Sequence, residues 1–230
     1  MAISTKGKKT GGSTPKEIQP GNNTCKINEI FSEDVKWKDG AKHLIIQMET
    51  EPIGGDFEGF AVDKNDPAKG KFLGQVARVK AGEWPFSDGK TKGGVQIFRE
   101  DETLRFIMSL FDALGKRDWL DKATAKGDEF ESVDALIEFI NKEKPFDGIF
   151  LDCCIAGKEY KNKQGYDTHD LFLPKFSRKG VPFEKKGTNS GKLLKFDASE
   201  HIKKNPKAES VDEFAPSVVS KDTKKGFDID

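Results

Sequence analysis

The spacing of apolar residues changes character twice along this 230-residue chain, and no other feature limits the fold as much. At 43–48 (HLIIQM) a short apolar run fits a buried strand. The segments 56–62 (DFEGFAV) and 71–80 (KFLGQVARVK) read as two more strands, and DKNDPAKG between them has the Asp, Asn, Pro and Gly of a turn. A hairpin is predicted there. From Leu104 the spacing becomes helical: Leu104, Ile107, Leu110, Phe111 and Leu114 share one face, and Gly115 closes the run. A second helix is predicted from Ser132 as N-cap, with Val133, Leu136, Ile137 and Ile140 as its stripe and Pro145 just beyond its end. After Gly148 alternation returns, with Leu151, Cys153 and Ile155 opposed to Phe150, Asp152 and Cys154. The stretch AGKEYKNKQGYDTHDLFLPKF then predicts strand, turn over 162–165, and a strand ending by Pro174.

Three strands, a helical insertion over 97–144 and further strands predict a mainly β fold of the α+β kind. About five short strands interrupted in this way suit an OB-like Greek-key barrel. A sandwich of sheet and helices fits the same pattern. Only 35% of the chain is hydrophobic and 34% is charged, but 18 Phe supply the large apolar area that a core needs. Residues 1–24 are rich in Gly, Ser, Thr, Lys and Asn and are expected to form a flexible basic arm; residues 205–230 are expected to form a flexible, acidic-tipped tail. That leaves 25–204 as one domain. There is no apolar run long enough to span a membrane and no apolar secretory segment near the N-terminus. Three Cys, two of them adjacent, make no disulfide framework and point to a reducing cytoplasm.

Lys and Arg number 39, Asp and Glu also 39, yet the balance is uneven. Residues 1–26 carry +4, 27–155 carry −8, 156–207 carry +7 and 208–230 carry −3. A basic segment beside an acidic tail suggests a site for a polyanion with an internal competitor. Solvated surface is the plainer account of any one charge run.

Signatures of catalysis are sparse. No GxxxxGK[ST] or strand-borne GxGxxG occurs, and adjacent Cys153 and Cys154 on a strand point to opposite faces, so they cannot clamp one metal. Neither a metal nor a cofactor is expected. Asp152, Asp167, His169 and Asp170 are the residues that a metal-dependent nuclease could use, because carboxylates hold Mg²⁺ and His moves protons. More informative is the interleaving of basic and aromatic residues. Lys158, Tyr160, Lys161, Lys163 and Tyr166 fall on one predicted hairpin, followed by Lys175. Arg78, Lys80, Trp84 and Phe86 form a similar group earlier. Cations track phosphates and flat rings stack on unpaired bases, so such surfaces suit single-stranded nucleic acid. The chain closes on Phe227, Asp228, Ile229 and Asp230, a short acidic-apolar tip of a kind that can dock partner proteins.

The segments FEGFAVDKNDPAKGKFLGQVARVKAGEWPFSDG and DGIFLDCCIAGKEYKNKQGYDTHDLFLPKF, with the tail, resemble bacteriophage single-stranded DNA-binding proteins, those of crAss-like phages most closely. The resemblance covers about a third of the chain. It implies an OB-fold core, no catalysis, no cofactor, a role in replication, recombination and repair in the host cell cytoplasm, and recruitment of replication or recombination proteins by the tip. The tip departs from the bacterial relatives, which end on the aromatic after several Asp; here Phe227 is followed by Asp228, Ile229 and Asp230. The helical stretch exceeds what a minimal OB-fold needs, as either a dimer surface in a homo-oligomer or a cap. The expected function is therefore non-enzymatic binding of single-stranded DNA, through Arg78, Lys80, Lys158, Lys161, Lys163 and Lys175 on phosphates and Trp84, Phe86, Tyr160 and Tyr166 on bases. A nuclease and a phage structural protein are the competing expectations.

Overall fold

The fold was analysed in a computed structural model, which describes residues 16–86, 88–90, 93–125, 130–162 and 165–204. In chain order its elements are β1 (Gly21–Asp34), β2 (Lys42–Thr50), β3 (Phe60–Ala61), β4 (Lys71–Phe72), β5 (Val76–Lys80), β6 (Gly89–Lys90), β7 (Gln96–Ile97), α1 (Arg99–Leu114), α2 (Arg117–Ala125), α3 (Val133–Glu143), β8 (Phe150–Lys161), β9 (Asp167–Phe172), β10 (Phe183–Lys185), α4 (Ala198–His201) and β11 (Ile202–Lys203). The protein is mainly β, with a mixed seven-stranded sheet, two small two-stranded sheets and four helices among the described residues.

The main sheet is organised around β1. Its second half pairs antiparallel with β2, from Cys25↔Thr50 to Asp34↔Lys42, and its first half pairs antiparallel with β8, from Gly21↔Ile155 to Lys26↔Phe150. β2 pairs with β5, β5 meets β9 in parallel at Lys80↔Phe172, and β9 forms an antiparallel hairpin with β8. The path of pairings β1–β2–β5–β9–β8 therefore returns to β1. β10 and β11 add to β8.

Several expectations are corrected here. The main sheet holds seven strands where about five were expected. The expected arm of 1–24 ends too late: Gly21–Thr24 belong to β1, and Ile18 is buried in the core. The expected strand 56–62 shrinks to Phe60–Ala61. The expected strand 71–80 splits into β4 and β5 around Gly74, whose added Cβ would lie 2.3 Å from the Thr50 carbonyl oxygen. Residues 205–230 lie outside the described residues.

α1, α2 and α3 fall within the expected insertion, three helices where two were expected, and α4 lies outside it. α1 opens with Glu100, Asp101 and Glu102, whose charge suits the positive helix end. It closes at left-handed Gly115 (φ 66°), and the Lys116 N–H donates back to the Phe111 carbonyl at 2.8 Å. Ser132 caps α3 by accepting from the Ala135 N–H at 3.2 Å. Ile107, Leu110, Phe111 and Leu114 of α1 and Leu136, Ile137 and Ile140 of α3 pack with Ile27, Ile30, Leu44, Ile46, Met48, Leu151 and Ile155 of the strands. Trp119 of α2 stacks between Phe111 and Phe139, with 5.7 Å between ring centroids on each side. α1 and α3 thus cover the core-facing side of these strands.

Candidate nucleic-acid interface

β5 and the strands beside it determine where the expected cations stand. A groove of about 490 Å³ is lined by Ile45 and Gln47 of β2, Val76, Ala77, Arg78 and Lys80 of β5, Tyr160 of β8, and Thr168, His169 and Asp170 of β9, together with Glu17, Ile18 and Gln19 ahead of β1. Tyr160 is 44% exposed. Arg78 packs its guanidinium over the Phe31 ring, 4.6 Å from the centroid, and forms an ion pair with Glu33. Lys80 forms an ion pair with Asp170. These two expected phosphate ligands therefore already have carboxylate partners, that of Lys80 on the adjoining strand β9 and that of Arg78 beyond β2 on β1. Nearby, burial and then the Lys80 charge hold the His43 imidazole below its ordinary pKa, outweighing Asp170 and Glu33, so it adds no positive charge at neutral pH.

A second cleft, of about 380 Å³, begins at the next residue along the chain. It is lined by Ala81, Gly82, Trp84, Pro85, Phe86, Glu102, Arg105, Phe106, Ser109, Pro174, Lys175 and Phe176. Trp84 is 58% exposed and Phe176 44% exposed. Phe86 differs from the expectation of a solvent-facing ring: it is half-buried, lies 6.3 Å from Phe106 and packs against the core. Trp84, Phe86 and Lys175, distant in sequence, are thus brought together, while Arg78, Lys80 and Tyr160 gather in the adjoining groove.

The β8–β9 turn carries the third group. Asn162 fixes it: its N–H donates to the Tyr166 carbonyl at 2.9 Å, and its Oδ1 accepts from the Tyr166 N–H at 3.0 Å. Tyr166 is 71% exposed, and Lys158 and Lys161 are exposed on β8. Among the described residues Lys158, Lys161 and Lys175 form no ion pair. Lys163 and the tip residues Phe227, Asp228, Ile229 and Asp230 lie outside the described residues.

Three further rings are exposed: Phe176, which belongs to the same run of interleaved basic and aromatic residues, and Trp37 and Phe98, which sequence reasoning missed. Phe176 carries the signal of an aromatic beside Lys175 and before Arg178. Trp37, in the Lys-Trp-Lys tip of the β1–β2 loop, is highly exposed and flanked by two lysines.

The nuclease constellation is not assembled. Asp152 accepts from the Thr24 hydroxyl at 2.6 Å, on a stretch of β8 that pairs with β1 and β10. Asp170 is engaged with Lys80, and Asp167 sits beside the turn, opposite Lys161. Among the described residues no group of three or more His, Cys, Asp or Glu is placed to hold a metal. Burial raises the thiol pKa of Cys25 to about 12 and that of Cys154 to about 11, and pushes Cys153 well up; protonated thiols are poor nucleophiles and ligands. No protein-family model, curated protein or solved structure matches the chain.

Proposed function

We propose that this protein binds and protects single-stranded DNA during phage replication, recombination and repair, without catalysis, on the outer face of an OB-like Greek-key barrel. The order of strand pairings supports the barrel. Numbering β1, β2, β5, β8 and β9 as strands one to five, the cycle runs 1-2-3-5-4-1, with the 3–5 contact parallel and α1–α3 inserted between strands 3 and 4. Barrels of that kind offer strands 2 and 3 and the 1–2 and 4–5 loops to oligonucleotides. In this chain those elements are β2, β5, the loop bearing Trp37 and the turn bearing Tyr166.

The observation that carries the reading is the juxtaposition of exposed rings with lysines that have no ion-pair partner among the described residues. Tyr160 and Tyr166 stand beside Lys158 and Lys161, and Trp84 and Phe176 beside Lys175. Each ring offers a face to an unpaired base, worth about 1–3 kcal/mol per base, and each ammonium releases a counterion from a phosphate it meets. The acidic tip, Phe227 to Asp230, is proposed to dock replication or recombination proteins.

Anisotropy of labelled oligo-dT over a salt series tests this. Log affinity falls with log salt by about 0.7 per phosphate contact, and a duplex of equal length competes poorly. Absence of binding at low salt overturns the reading.

A further inference from the structure

Phe176 belongs to two clefts at once. On one side lies the cleft of Trp84 and Lys175. On the other is a further cleft, of about 610 Å³, between the C-terminal half of α1 and the segment 181–192. The two adjoin along α1, where they share Ser109 and Phe176. A line of rings underlies the join: Phe106 and Phe183 meet at 5.8 Å, and Phe183 and Phe176 at 5.4 Å, both edge to face. Phe106 and Phe183 are buried, so the core holds Phe176 in place while leaving it 44% exposed.

The wall opposite α1 stands on ordered backbone. Lys185 ends β10, where it pairs with Leu151 of β8, and its carbonyl accepts from the Thr188 N–H at 3.0 Å. The Lys192 carbonyl accepts from the Val181 N–H at 2.8 Å. An added Cβ at Gly180 would lie 2.2 Å from that same carbonyl oxygen, so only glycine lets the two segments pass so closely.

Charge separates these clefts from the groove along β5, whose cations are already engaged. Here the carboxylates are the engaged groups. Glu102 pairs with Arg105 at 3.2 Å, Asp112 pairs with Arg117 at 3.2 Å, and Glu184 accepts from the Ser190 hydroxyl. Lys175, Lys185 and Lys192 are exposed and form no ion pair among the described residues. An exposed ring therefore stands between one free cation in the first cleft and two in the second, the alternation that suits bases and phosphates of an unpaired strand.

We propose that the single strand does not end at Phe176 but continues along α1 into the second cleft, where Lys185 and Lys192 meet its phosphates. The inference rests on the single-strand reading above and extends its path. It gives the helical insertion a role, because α1 then forms one side of the track.

The test compares the full chain with a double Lys185→Ala, Lys192→Ala variant, by titration into labelled oligo-dT across a salt series. The variant is expected to lose about 1.4 from the slope of log affinity against log salt, at about 0.7 per lost contact, and to bind about tenfold more weakly at low salt. The double Lys→Arg variant at the same positions keeps the original slope. A control double variant, Lys64→Ala with Lys142→Ala, removes two exposed lysines that line neither cleft and also keeps it. An unaltered slope in the Lys185/Lys192 alanine variant overturns the proposal, assigns the two lysines to another occupant such as an acidic protein segment, and leaves the single-strand reading standing. An equal loss in the control also overturns it, because net charge alone then accounts for the effect. Failure of the full chain itself to bind overturns both.

Discussion

Lys80 of β5 and Asp170 of β9 form an ion pair across the seam where the two strands run parallel. The pair neutralises a cation on the surface proposed to meet phosphate, so the carboxylate competes with the ligand. Asp170→Asn is expected to tighten oligo-dT binding about two- to fivefold at low salt, the range of a solvent-exposed ion pair. Glu33→Gln, which frees Arg78, is expected to act in the same direction. Weaker binding by both variants would show that the pairs organise the surface rather than mask it.

Trp84 and Phe86 line one cleft but bear different loads. Trp84→Ala removes an exposed ring and is expected to weaken oligo-dT binding by about 1–3 kcal/mol with the melting temperature unchanged. Phe86→Ala removes a ring packed against Phe106 and is expected to lower stability by about 2–4 kcal/mol. Denaturant melts and binding titrations on the same two proteins separate these effects.

Asn141 of α3 replaces a missing strand. Beyond Lys26, β1 no longer pairs with β8, and the backbone of Ile30 turns instead to Asn141, whose Oδ1 accepts from the Ile30 N–H at 2.9 Å and whose amide donates to the Ile30 carbonyl. Asn141→Ala leaves both groups unpaired beside the core, an expected loss of about 1–3 kcal/mol in urea unfolding. Asn141→Asp retains an acceptor but no amide donor, and falls between the two.

Glu49 is a buried carboxylate in β2. It accepts from the Asn28 amide at 3.1 Å and from the Leu73 and Gly74 N–H groups at 2.8 and 3.2 Å, and pairs with Lys26 at 3.2 Å. Burial opposes the charge, but these hydrogen bonds and Lys26 outweigh it and hold the carboxyl below its ordinary pKa. A depressed pKa contributes stability that is complete above the unfolded value, near 4.3, and is lost as pH falls through the folded one. Glu49→Gln is expected to cost about 1–3 kcal/mol at pH 7. The gap from the unaltered protein should shrink as melts are repeated toward pH 3; a constant gap would count against the ionised network.

α1, α3 and the β8–β9 hairpin were legible because their signals are local: periodicity, a Ser cap, a closing Gly, a turn of polar residues. β1 was not legible, and the reason is physical. Its buried residues are Cys25, Ile27 and Ile30, and the register shifts between Ile27 and Glu29, so a bulge breaks the period of two by which a strand is recognised. α2 hid behind its charges, with Leu120 as its buried residue and Trp119 half-buried. At the candidate site the residue types were readable but their partners were not. That Glu33 and Asp170 face Arg78 and Lys80 depends on which strands lie side by side, a long-range property that no window of sequence contains.

The double pairing of β1 also sets an order of events. Gly21 meets Ile155, so the first half of β1 has no neighbour until the chain has been made through β8. During synthesis the nascent protein exposes that half as an unsatisfied edge, and closing so long a loop is entropically costly. Folding should therefore be slow for a chain of this size, on the millisecond-to-second scale of proteins dominated by non-local contacts.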